Sequence, residues 1–191
     1  IKGVRELCDE NDILLIFDEI QCGMGRTGTM FAYQKYDVMP DILTSAKALG
    51  CGIPVGAFAA SEKVSEAFEP GDHGTTYGGN PFVTAAVSKV FDLFESEHIL
   101  EHVNEMAPYL AEQLEALVDK YDFVVERRGM GLMQGLEFKM PVRNIITKMM
   151  DAGLIIISAG THVLRFVPPL IIEKKHIDEM ITILDKCLSE L

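Results

Sequence analysis

The sequence predicts an α/β fold, on three observations. The run Leu14-Leu15-Ile16-Phe17 is apolar without alternation, the pattern of a strand covered on both faces and usually parallel. That run ends in two adjacent carboxylates, Asp18 and Glu19, and then a glycine-rich loop, as a strand does when its carboxyl end faces a ligand crevice. From Phe123 onward the chain reads strand, strand, helix, strand, strand, helix, a small α/β unit with its own apolar faces.

The elements follow in order. Residues 1–11 have helical rhythm, with Val4, Leu7 and Cys8 on one face, and 13–17 form the buried strand. The loop at 20–29 leads to a short helix in "MFAYQKYDV" and a short strand, Ile42 to Thr44, before Lys47. "PVGAFAAS" is a strand of small apolar residues, and "SEKVSEAF" is a helix with Ser61 as N-cap. After the loop "GDHGTTYGGNP", Asn80 caps and Pro81 takes the first helical position. The helical pattern runs from Phe82 to about Lys120 with a break near "SEHIL". "FVVERRGMGLMQGLEF" is two strands about a glycine turn, "VRNIITKMMDAG" a helix ending near Gly153. "LIIIS" and "VLRFVPP" are strands, and "EKKHIDEMITILDKCLSEL" is an amphipathic helix. A domain boundary is expected within the helical stretch, giving units 1–99 and 100–191.

Bulk composition narrows the function. The chain has 191 residues, 48% of them hydrophobic, and a formal net charge of -12. It can bury a core, and its acidity argues against a nucleic-acid partner. No stretch predicts a membrane span or a signal peptide, so a cytoplasmic location is expected. Cys8, Cys22, Cys51 and Cys187 form no CxxC pair and match no zinc spacing, so free thiols and no metal site are expected. The chain lacks an initiator Met and opens in helical rhythm, which suggests a piece of a longer protein.

Two generic motifs carry little. "LLIFDE" has the form of a Walker B strand and "GMGRTG" satisfies GxGxxG. The first needs a GxxxxGK[ST] segment, which does not occur, and the second needs a helix opening at its third glycine, where "TGTMFAYQ" is a poor start. A P-loop or dinucleotide-binding domain is thus the rival class. Lys47 says more. It lies among Ala46, Ala48, Leu49, Gly50 and Gly52, small and apolar neighbours that leave room for a ligand and, by desolvating the amine, favour nucleophilicity. Asp18 and Lys47 together suit pyridoxal phosphate. That cofactor's aldehyde condenses with a lysine, its ring nitrogen wants an anion, and its phosphate wants hydroxyls and N–H groups at a helix start. "HGTTYGGNP" offers Thr75, Thr76 and such a start.

At these residues the sequence resembles a known family. "LLIFDEIQCGMGRTG", "PDILTSAKALGCGIPVGAF", "HGTTYGGNP", "RGMGLMQGLEF" and "VLRFVPPL" match, in order and spacing, the class III (ornithine/acetylornithine-type) aminotransferases. The resemblance covers the C-terminal half of such an enzyme. It implies fold type I, with residues 1–99 the C-terminal part of the cofactor-binding large domain and 100–191 the small α/β domain. It also implies pyridoxal 5′-phosphate, a homodimer, and transfer of an amino group from N-acetylornithine or a similar ω-amine to 2-oxoglutarate, in arginine biosynthesis. Ornithine, succinylornithine and 4-aminobutyrate are alternative donors. The isolated chain is expected to be inactive, since the phosphate-cradling loop and the ring-stacking aromatic would precede residue 1.

The implied roles are specific. Asp18 pairs with the ring nitrogen, and Gln21 hydrogen-bonds the cofactor's phenolic oxygen. Lys47 bonds the cofactor and shuttles the proton, and Thr76 binds its phosphate across the dimer interface. Arg165 holds the substrate α-carboxylate. The residues themselves agree at Arg165, whose planar fork inside "VLRFVPPL" suits a carboxylate, although a snorkelling or internally paired arginine reads the same way. Glu19 is read as a structural hydrogen-bonding group, Arg26 as a brace of the loop, His73 as structural, and the methionines as core filler.

Overall fold

The apolar run after α1 (Lys2–Glu10) does feed a parallel strand, but an open one. In the computed structural model, which describes all residues 1–191, β1 spans only Ile16–Asp18. It pairs in parallel with β2 (Ile42–Ser45), Ile16 against Ile42 and Asp18 against Thr44. β2 in turn pairs antiparallel with β3 (Ala57–Ala60). The sheet order is β1-β2-β3, so β1 is an edge. Within residues 1–191 no layer covers Ile13, Leu14 and Ile16, which are exposed, Ile16 at 56%, so the expected burial on both faces is not met inside this stretch. Only Leu15 buries, packing with Cys8, Val38 and Phe17. Within the same stretch α1 buries Cys8 alone, while Val4 and Leu7 are exposed.

The chain divides into two compact units, Ile1–Leu100 and Glu101–Leu191. The first also holds α2 (Tyr33–Tyr36), α3 (Glu62–Ser65) and α4 (Pro81–Ser96). The Asn80 side chain caps α4, its Oδ1 accepting from Val83 N–H at 3.1 Å, with Pro81 at the first helical position. Ser61 stands at the N-cap of α3 but makes no capping bond, and its Oγ is buried without a partner. The break at "SEHIL" falls at His98, whose φ of 51° interrupts the helix. From there α5 (Ile99–Lys120) runs into the second unit.

That unit folds around a four-stranded antiparallel sheet of order β4-β5-β7-β6. Its strands are β4 (Val124–Met130), β5 (Met133–Phe138), β6 (Ile157–Ala159) and β7 (Val163–Phe166), with helices α6 (Arg143–Asp151) and α7 (Lys174–Ser189). The spacing of Val103, Met106, Leu110, Leu114 and Leu117 gives α5 one apolar face, and all five are buried. Leu136 and Phe138 of β5, Leu164 of β7, and Ile177, Leu184 and Leu188 of α7 complete this core. Each such side chain contributes about 1.5–3 kcal/mol when fully buried. In the "LIIIS" segment only the end is strand. Leu154 to Ile156 precede β6, and Ile155 is 88% exposed because no ladder holds it. No helix is long and apolar enough to cross a membrane. All four cysteines are free, Cys8 and Cys187 buried.

Candidate active site

The parallel register of β1 and β2 sets Asp18 opposite Thr44, and three residues beyond Thr44 the chain reaches Lys47. Asp18 and Lys47 thus lie at the carboxyl ends of two neighbouring parallel strands, the place where open α/β sheets bind ligands. Asp18 is exposed. Its Oδ1 accepts from Ile20 N–H at 3.0 Å and, at the outer limit of a hydrogen bond, from Thr44 Oγ at 3.5 Å. Both contacts fall on one oxygen, which leaves Oδ2 for a further donor. Thr44 was missed as a site residue in the sequence. Its position opposite Asp18 becomes visible only once the register is known.

Lys47 opens a single 3₁₀ turn, Lys47–Leu49, with φ at 50°. A lysine in the left-handed region is unfavourable by about 1–3 kcal/mol and persists where its surroundings impose it. Here Leu49 N–H bonds Ala46 O at 3.0 Å and Gly50 N–H bonds Lys47 O at 3.2 Å. A Cβ on Gly50 would sit 2.1 Å from Ile53 O, so the turn closes only with glycine there. Within residues 1–191 Lys47 is exposed: its small neighbours do not by themselves enclose the amine. Its side chain enters no ion pair.

The loop after β1 carries the next residues. Gln21 is half-buried. Burial, and then the Glu19 carboxylate, push the Cys22 thiol above its ordinary value, so it stays protonated and supplies no thiolate. Burial lowers the Arg26 guanidinium, which remains charged, as arginines do. Thr76 is exposed in the loop leading to α4, where Gly78 N–H bonds Thr75 Oγ at 3.3 Å. His73 packs edge-on against Phe58, ring centroids 6.2 Å apart.

In the second unit, Arg165 lies on β7 between Gly135 of β5 and Ile157 of β6. It lines an apolar cleft of about 370 Å³ with Ile155, Ile157, Phe166 and Met180. Its Nε is buried and has no partner. A buried guanidinium N–H without an acceptor is unfavourable by about 1–3 kcal/mol, and the internally paired alternative finds no partner at this atom.

These groups fit pyridoxal phosphate. The free oxygen of Asp18 meets the need of a protonated ring nitrogen, and the unpaired Lys47 that of the aldehyde. Gln21 and Thr76 have the right polar atoms for the phenolic oxygen and the phosphate.

Comparison with known proteins agrees. The family profile described as aminotransferase class-III matches residues 1–188. The chain is 48% identical over 191 residues to acetylornithine aminotransferase of Methanocaldococcus jannaschii, covering 100% of this chain and 48% of that protein. The structure of N-acetylornithine aminotransferase from Stenotrophomonas maltophilia superposes with a TM-score of 0.87 at 37% identity, over 99% of this chain and 50% of that one. Taurine:2-oxoglutarate aminotransferase from Bifidobacterium kashiwanohense, solved in complex with PLP and glutamate, superposes with a TM-score of 0.92 at 34% identity, over 98% of this chain and 46% of that one. The chain therefore spans about half the length of the relatives it matches. Its fold is that of the PLP-dependent aminotransferases of fold type I, and by sequence and structure the chain belongs to the class-III aminotransferases.

Proposed function

We propose that the full-length protein is a pyridoxal-phosphate-dependent aminotransferase. It takes the terminal amino group of N-acetylornithine, or a closely related ω-amine, and gives it to 2-oxoglutarate, in arginine biosynthesis. The observation that supports the reading is the placement of Asp18 at the carboxyl end of one strand and of Lys47 just beyond the carboxyl end of its parallel neighbour. The names of the similar proteins, acetylornithine aminotransferase above all, support the choice of donor. Residues 1–99 are assigned to the cofactor-binding domain and 100–191 to the small domain. A cytoplasmic homodimer, with Thr76 reaching the cofactor phosphate of the partner subunit, completes the proposal.

When bound, the cofactor supplies an electrophilic aldehyde and an electron sink. Asp18 holds a proton on the ring nitrogen through its free Oδ2, which keeps that sink strong. Gln21 donates to the phenolic oxygen and orients the ring. Lys47 Nζ is the general base, taking the proton from the carbon that bears the amine. Arg165 binds the carboxylate of glutamate and 2-oxoglutarate with its two-pronged guanidinium.

The test is direct. Full-length protein with pyridoxal phosphate, N-acetylornithine and 2-oxoglutarate should form glutamate. The same assay with ornithine, succinylornithine and 4-aminobutyrate ranks the donors by kcat/KM. A higher value for one of those three reassigns the donor, and no glutamate from any of them overturns the activity.

A further inference from the structure

Glu19 has no part in the chemistry above, yet it is the most buried carboxylate of the chain, 2% exposed. Its side chain receives two backbone donors, Ala32 N–H on Oε2 at 2.5 Å and Tyr33 N–H on Oε1 at 2.7 Å. Its own N–H donates to Thr44 O at 3.0 Å, and its carbonyl accepts from Gly23 N–H at 3.0 Å. One residue therefore ties together the end of β1, the end of β2, and both ends of the loop 20–31. The closure is tight: a Cβ on Gly23 would lie 2.7 Å from Glu19 O and 3.1 Å from Phe31 Cδ1. Asp18 precedes this clamp directly and Gln21 follows two residues later, so the backbone that aims both side chains is fixed by Glu19.

We propose that Glu19 is a positioning residue for the cofactor: its buried carboxylate clamps the loop 20–31 so that Asp18 and Gln21 meet the ring together. This rests on the reading of Asp18 and Gln21 as cofactor contacts. The residue type follows from the donors. Two backbone N–H groups, one to each oxygen, need two acceptors, which a carboxylate has. A glutamine offers one acceptor, and its NH₂ would face the other N–H. An aspartate keeps both acceptors but withdraws them by one methylene. The buried charge is stabilised by these charge-assisted bonds.

The experiment compares full-length wild type, Glu19→Gln, Glu19→Asp and Asp18→Asn. Far-UV circular dichroism establishes folding. Pyridoxal phosphate affinity, and the pH midpoint of the bound cofactor's visible absorption band, are the readouts, since loss of stability alone moves neither in a folded protein. Folded Glu19→Gln should bind pyridoxal phosphate about tenfold more weakly, because Asp18 and Gln21 no longer meet the ring together, with a displaced pH midpoint. Should the Gln variant not fold, Glu19→Asp carries the test with the same direction expected. If a folded Glu19 variant keeps wild-type affinity and midpoint while Asp18→Asn loses affinity, the clamp role is overturned and the cofactor reading stands. If Asp18→Asn also behaves as wild type, the cofactor reading falls and the role of Glu19 with it.

Discussion

Lys47 has a free ammonium in a backbone conformation that lysine seldom adopts, and no other residue of the 47–52 turn carries an amine. Lys47→Ala in the full-length protein should abolish transamination. Borohydride reduction with pyridoxal phosphate, followed by peptide mapping, should place the pyridoxyl group on Lys47 in wild type; turnover by the alanine variant would sink the assignment. Asp18→Asn keeps the shape but removes the anion. Each unit of bias in ring-nitrogen protonation is worth about 1.4 kcal/mol, so a bias of a few units predicts a rate loss of at least roughly a hundredfold. Unchanged rates with normal cofactor binding would place Asp18 elsewhere. Arg165→Lys keeps the charge and loses the fork. Loss of one charge-assisted bond of about 1.5–3 kcal/mol predicts a fall in kcat/KM for glutamate of roughly 10- to 100-fold, and no fall would make the arginine structural. In the sequence each of the three is a charged group in an apolar or small-residue context. That marks Asp18 and Lys47 as a candidate pair, while Arg165 reads as a snorkelling or internally paired arginine until the resemblance gives it a role. Thr76 is marked only as one of two hydroxyls, with Thr75, before a helix start, and Gln21 by nothing local; the resemblance to a family proposes the specific role of each. Glu19 was readable as a hydrogen-bonding group, but its donors are 13 and 14 residues away, beyond what local spacing reveals.

Elements were legible where local chemistry decides them and illegible where neighbours do. The two N-cap candidates illustrate this. Asn80 and Ser61 both stand before helices in extended backbone, at φ -66° and -63°, and sequence rules treat them alike. Only Asn80 makes the bond, from Val83 N–H; the corresponding Val64 N–H of α3 already bonds Ser61 O at 3.0 Å. Ser61 precedes a single turn and leaves its hydroxyl buried and unpartnered. Asn80→Ala should therefore lower unfolding free energy by about 1 kcal/mol. Ser61→Ala should change it by less than about 0.5 kcal/mol or raise it, since it removes an unsatisfied buried group. Denaturant titration of both variants checks the pair; equal losses would show that the Ser61 hydroxyl is satisfied after all. The run 13–17 teaches the complementary lesson. Its parallel pairing was readable from its composition, whereas the burial of its side chains depends on which layers cover the sheet, a fact that no window of the run contains.

Across the whole chain, acid should be the weak side. In the first unit Asp41 accepts from Leu15 N–H and from Arg5, each at 2.7 Å. The Leu15 amide first, and then Arg5, hold its carboxyl below the usual range. In the second unit Lys120, then Tyr121, do the same for Asp185, with Lys120 Nζ at 2.6 Å. A carboxyl depressed in the folded state binds fewer protons there than in the unfolded chain. Its contribution is thus complete above the unfolded value, about 3.9, and is lost as pH falls through the lower folded one. Unfolding midpoints in urea should accordingly be level from neutral pH to about pH 5 and drop below about pH 4. Asp41→Asn and Asp185→Asn should each be less stable than wild type at neutral pH, and each deficit should shrink as the pH falls, because wild type then carries the same neutral group. The Asp41 variant has a second consequence, since Asp41 holds Leu15 at the entry to the strand that ends in Asp18. It should weaken pyridoxal phosphate binding at neutral pH, whereas Asp185→Asn, placed in the other unit, should leave binding unchanged. A deficit that stays constant down to pH 2.5 would show that these carboxylates act by shape and not by charge.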